Sequence, residues 1–165
     1  MLVVIDMQNH ILDPDSESYI PGCEALIPNI KKRITKARTN NEIILYTRDI
    51  PVEMKDTPKE EAEELQIISD IAPQADEIVV KKYYFTIPPD KLLEICKSVE
   101  DDFKQSEKLE VIGVETSLCV LSNALALQSV FPEADIFIDP NLVCGRKHND
   151  CALALFKQFN IEVLN

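Results

Sequence analysis

Short runs of consecutive apolar residues alternate along this chain with stretches in which apolar positions recur at helical spacing. The runs Leu2 to Asp6, Glu42 to Thr47, Glu77 to Lys81, Lys108 to Val114, Asp135 to Asp139 and Ile161 to Leu164 are rich in β-branched residues, which predicts strands buried on both faces. Between them, Glu24 to Asn40 places Leu26, Ile27, Ile30, Ile34 and Ala37 on one helical face. Pro58 is suited to the first turn of a helix reaching about Ile71, and further helices are expected over Pro89 to Ser98, Ser117 to Val130 and His148 to Phe159. His10 to Cys23, rich in Asp, Ser, Pro and Gly, reads as a loop, and Arg48 to Thr57 as a polar connection. Strands and helices in alternation imply an α/β domain in three layers, α/β/α, around a doubly wound parallel six-stranded sheet of order 3-2-1-4-5-6. No repeat, low-complexity tract or linker divides the chain, so residues 1–165 read as one domain.

Composition narrows the function. With 45% hydrophobic and 28% charged residues, the chain has the mix of a soluble globular protein. Its formal charge of −12 argues against nucleic acid or an anionic membrane as partner, since both require basic surface. No apolar run approaches the roughly 18 residues that span a bilayer, and no basic leader precedes the first strand. Five cysteines (Cys23, Cys96, Cys119, Cys144 and Cys151), with no C-x-x-C pair, predict neither a disulfide framework nor a zinc ribbon. A reducing, cytoplasmic setting is therefore expected.

The candidate chemistry gathers where strands end. In the order 3-2-1-4-5-6 the ligand crevice falls between the first and fourth strands, at their carboxyl ends. Asp6 closes the first of these strands. The fourth runs through Gly113 into VETSLCV, placing Cys119 in the first turn of the next helix, with Thr116 or Ser117 as a cap. Free N–H groups and the helix dipole favour an anion there, so the Cys119 thiol is expected to ionise more readily than a free one.

Four segments then resemble, in order, the isochorismatase-like cysteine hydrolases, the superfamily of nicotinamidases and N-carbamoylsarcosine amidases. They are VVIDMQNHILDPDSESYIPGCEALIPNI, LYTRD at Leu45 to Asp49, DEIVVKKYYFT, and GVETSLCV. The resemblance implies an Asp-Lys-Cys triad. Cys119 matches its nucleophile and Asp6 its general base. Aligning Phe85-Thr86 with the family's aromatic-hydroxyl pair makes Lys82 the lysine, with Lys81 as the alternative; successive strand residues face opposite ways, so only one can serve. The resemblance also implies an oxyanion hole from the backbone N–H groups of Glu115 and Cys119, a cis peptide at Val114–Glu115, Gln8 near the site, and frequent homo-oligomers. His10 stands beside the same motif as a possible pocket residue.

The expected activity is hydrolysis of a C–N bond in a small amide, carbamoyl or ureido compound through a thioester, without cofactor. The metal-binding relatives carry Asp-x-His after the second strand; here the sequence is Asp49-Ile50-Pro51, with no histidine between His10 and His148, so no metal site is expected. The segment between the second and third strands is also shortened and lacks the family's landmarks, which leaves the substrate unnamed. Two other readings stand beside this one. The first is an isochorismatase-type vinyl-ether hydrolase, against which Cys119 counts. The second is a non-catalytic α/β binding module that retains the triad by descent.

Overall fold

In a computed structural model, which describes residues 1–99 and 108–165, the chain forms one parallel sheet. The strands are β1 (Leu2–Ile5), β2 (Ile44–Asp49), β3 (Ile78–Lys82), β4 (Lys108–Val114), β5 (Asp135–Ile138), β6 (Val143–Cys144) and β7 (Glu162–Val163). The order β3-β2-β1-β4-β5-β7 is the expected doubly wound arrangement, with β7 as the sixth strand along the sheet. The two-residue β6, not foreseen, pairs in parallel with the end of β4. Among the described residues, the α-helices are α1 (Asn9–Leu12), α2 (Ile27–Thr39), α3 (Pro89–Ser98), α4 (Leu121–Val130) and α5 (Asn149–Gln158).

Strand alternation divides the core into two layers. Val3, Ile5, Leu45, Val80 and Val111 face α3, α4 and α5, packing with Leu92, Leu127 and Phe156. Leu2, Val4, Ile44, Tyr46 and Ile112 face α2, packing with Ile30 and Ile34. Both sides of β1 are sealed, which is why its sequence is continuously apolar. Among the described residues, no helix is long and apolar enough to cross a membrane.

Two expected elements take other forms. The helix over Pro58 to Ile71 is replaced by short 3₁₀ turns at Pro58–Glu61, Glu63–Leu65 and Ser69–Ile71. Its carbonyls are taken by tertiary partners: Arg48 donates to Glu60 O and Leu65 O, Gln8 to Leu65 O, and Asn9 to Glu63 O, while His10 Nδ1 lies 2.9 Å from Glu64 O. A helix would have to give up these bonds. The helix expected from Ser117 begins instead with a π turn over Thr116–Val120. Neither expected cap forms, since Ser117 Oγ donates to Lys147 O and Thr116 Oγ1 is buried without a partner.

Cysteine pairing also differs from the sequence expectation. Cys23 and Cys144 form a disulfide across a separation of 121 residues. Neither is a simple packing residue, and the cysteine count gives no support for a reducing compartment. The bond ties the loop before α2 to β6, and through it to the end of β4.

Candidate active site

β1 and β4 lie side by side with Ile5 opposite Gly113, so both strands end at the same place. Gly113 has φ +110°, and a Cβ there would meet Ile5 O at 2.2 Å. Glycine lets the two backbones approach. Asp6, the next residue after β1, has φ +50°, a left-handed conformation uncommon outside glycine. Thr47 of β2 supports it. Its Oγ1 accepts the Asp6 N–H at 3.1 Å and donates to Asp6 Oδ1 at 2.6 Å.

Lys82 closes β3 and is fully buried. Its Nζ lies 2.8 Å from Asp6 Oδ2, 2.8 Å from Asp49 Oδ1, 3.0 Å from Tyr84 O and 3.4 Å from Cys119 Sγ. An ammonium has three protons, so four acceptors share them and none is left over. Lys81 points the other way, to Glu60 and Glu61 at 2.6 Å each. Asp6, Lys82 and Cys119, brought from the ends of β1 and β3 and the turn after β4, therefore meet. Asp6 and Lys82 are closed to solvent, while Cys119 keeps 9% exposure.

The charges set one another. Burial raises the Asp6 carboxyl above its ordinary range, against the pull of Lys82 and the hydrogen bond from Thr47. Burial alone would lower the Lys82 pKa, but Asp6, Cys119 and Asp49 outweigh it and keep the ammonium charged. Burial, followed by the charge of Asp6, pushes the Cys119 thiol up to about 12, with Lys82 opposing. Cys119 thus rests as a thiol beside the Asp6 carboxyl group and a lysine cation. The sequence expectation of a readily ionised thiol does not hold, because desolvation and Asp6 outweigh the Lys82 charge.

The remaining candidates surround this centre. The Val114–Glu115 peptide is cis. The Glu115 carbonyl accepts the N–H groups of Leu118 and Val120, at 3.0 and 3.1 Å, which anchors the π turn carrying Cys119. The Glu115 carboxylate is held by the N–H and Nη1 of Arg146, whose Nη2 reaches the carbonyls of Ser18 and Tyr19. Gln8 is buried and grips the backbone of Asp49 on both sides: Oε1 accepts its N–H at 2.8 Å, and Nε2 donates to its carbonyl at 3.1 Å. It positions the wall and does not line open space. His10 does line a cleft of about 790 Å³, with Asn9, Asp13, Glu17, Pro51 and Glu64. Sequence reasoning assigned no role to Thr47, Asp49 or Arg146. LYTRD held the signal for the first two, since its last residue pairs in register with Lys82.

The sequence fits the isochorismatase domain over residues 1–160. The chain belongs to that family. No protein of curated function matches this isochorismatase-domain chain in sequence. Its fold is that of the pyrazinamidase of Pyrococcus horikoshii in complex with zinc (TM-score 0.79, 18% identity, covering 99% of this chain and 97% of that one). It is likewise that of the Staphylococcus aureus nicotinamidase (TM-score 0.76, 18% identity, 99% and 97% covered). The same holds for N-carbamoylsarcosine amidase from Thermoplasma acidophilum (TM-score 0.76, 18% identity, 98% and 93% covered). In this isochorismatase domain a zinc site does not fit the residues present. Asp49 Oδ1 is bound to Lys82, position 51 is proline, and among the described residues no three His, Cys, Asp or Glu side chains are grouped to hold a metal ion.

Proposed function

We propose that this isochorismatase-domain protein is a cysteine-dependent amidohydrolase, cleaving the C–N bond of a small amide, carbamoyl or ureido compound. The observation that carries the reading is the buried Lys82 ammonium within hydrogen-bonding reach of both Asp6 and the Cys119 sulfur. In the reaction, Asp6 takes the thiol proton as Sγ attacks the substrate carbonyl carbon. A thiol held up to about 12 does not ionise in advance, so proton transfer accompanies attack. Lys82 acts as a fixed charge for the forming thiolate, since its protons already have acceptors. We assign the backbone N–H groups of Glu115 and Cys119 to the oxyanion. Asp6 then returns its proton to the leaving nitrogen, and the C–N bond breaks to leave a thioester. Water, deprotonated by Asp6, attacks the thioester and releases the acid and the free thiol.

The test is release of ammonia or amine from a panel of small amides and ureides, comparing wild type and Cys119→Ala after chelator treatment. Turnover by wild type alone, undiminished by chelator, is the expected result. Equal turnover by Cys119→Ala would remove the thiol from the mechanism. No turnover across the panel by either protein would favour the binding-module reading.

A further inference from the structure

Asn123 lies one helical turn beyond Cys119 and is completely buried, yet it belongs to no part of the reaction just described. Every strong hydrogen-bonding group of its side chain is engaged. Nδ2 donates to Cys119 O at 2.7 Å and to Phe85 O at 2.8 Å, and Oδ1 accepts the Ile87 N–H at 2.8 Å. With a carbonyl at each donor and an N–H at the acceptor, the orientation of the amide is fixed by its partners. Asparagine within a helix usually weakens it by competing for backbone groups. Here the side chain reaches two different elements, the π turn bearing Cys119 and the loop after β3.

That loop matters because of what precedes Phe85. Tyr84 O accepts a hydrogen bond from Lys82 Nζ at 3.0 Å, so the loop fixes one of the four acceptors around the ammonium. The Tyr84 and Phe85 side chains are exposed, with the two rings edge to face, and give the loop little anchorage in the core. Besides the Tyr84 O bond to Lys82 and the Tyr83 hydroxyl's bond to Glu60, the loop is held by Ile87, which is buried, and by the amide of Asn123. The same amide holds the carbonyl of the nucleophile.

We propose that Asn123 is a positioning residue of the site. It brackets the turn bearing Cys119 to the loop that orients Lys82, and so fixes the distance between the sulfur and the ammonium. The proposal rests on the reading of Cys119 as nucleophile. The Lys82 charge favours the thiolate, so loosening the bracket should make the thiol harder to ionise.

Asn123→Leu, similar in shape, removes all three bonds. Asn123→Ser is the gentler variant: its hydroxyl can still bond Cys119 O, as Ser122 bonds Leu118 O at 2.7 Å on the same helix, but it cannot hold the loop. Both are compared with wild type for thermal unfolding, for iodoacetamide alkylation of Cys119 across neutral to alkaline pH, and for kcat and KM on a substrate found by the panel above. In either variant that folds, alkylation should begin at higher pH and kcat should fall about tenfold to a hundredfold, with KM changed far less. A folded Asn123→Ser with the wild-type alkylation profile and kcat would overturn the proposal, even if it melted at a lower temperature. That result would mark Asn123 as a packing residue alone. If Cys119→Ala turned over the substrate as fast as wild type, the nucleophile reading would fail first, and the two failures stay distinct.

Discussion

One hydroxyl serves Asp6 twice. Thr47 accepts the Asp6 N–H, supporting a left-handed backbone, and donates to the carboxylate proposed to take the thiol proton. Thr47→Val keeps the shape and loses both bonds. Hydrogen bonds to charged groups contribute about 1.5–3 kcal/mol, so a loss on that scale in kcat/KM is expected. The pH dependence gives the sharper check. As the proposed base, Asp6 works only when ionised, so activity should rise as pH passes its pKa, which burial holds above the ordinary carboxylate range. The Thr47 bond favours the ionised form, and without it the pKa climbs further. The acid limb of kcat/KM should therefore move to higher pH in Thr47→Val. An unmoved limb would mean that Asp6 is not the base, or that Thr47 does not tune it.

Among the elements, the close approach of β1 and β4 brings Asp6 and Cys119, the proposed base and nucleophile, to one point. In Gly113→Ala the new Cβ would fall 2.2 Å from Ile5 O, at a φ that side chains avoid, forcing the strands apart. Overpacking of this kind costs about 1–3 kcal/mol, read by thermal unfolding. The drop in kcat should exceed that loss of stability, because the gap opens between Asp6 and Cys119. Equal losses would show that the spacing is not critical. The sheet was readable in the sequence because buried parallel strands carry continuous apolar runs, as Leu2 to Ile5 and Lys108 to Val114 do. Asp6 and Cys119 could be picked out because they stand at a strand end and in the turn after one, whereas Lys82, with Lys81 as the alternative, came from the family resemblance around Phe85-Thr86. The wall after β2 was not readable, since its 3₁₀ turns depend on Gln8, Asn9, His10 and Arg48 reaching across from other segments. The pairing of Cys23 with Cys144 escaped for the same reason: topology, not spacing along the chain, brings them together.

At the scale of the whole molecule, the rim of the site is fastened to the sheet on two sides. Arg146 and the Cys23–Cys144 disulfide hold the loop before α2 to the end of β4. On the other side, Gln8 and Asn9 donate to the carbonyls of Leu65 and Glu63. The backbones bond there too: the Asn9 N–H meets Gln66 O at 3.0 Å, and the Ile68 N–H meets Met7 O at 3.0 Å. Irregular surface segments ordinarily open by themselves, at a small fraction of the free energy of global unfolding. Here the wall and β1 should open as one cooperative unit. Under native conditions, hydrogen exchange at the Asn9 and Ile68 amides should be about as slow as at Val3 and Val4 in the centre of the sheet. Fast exchange at Ile68 would instead describe a flap that comes loose while the sheet stays folded.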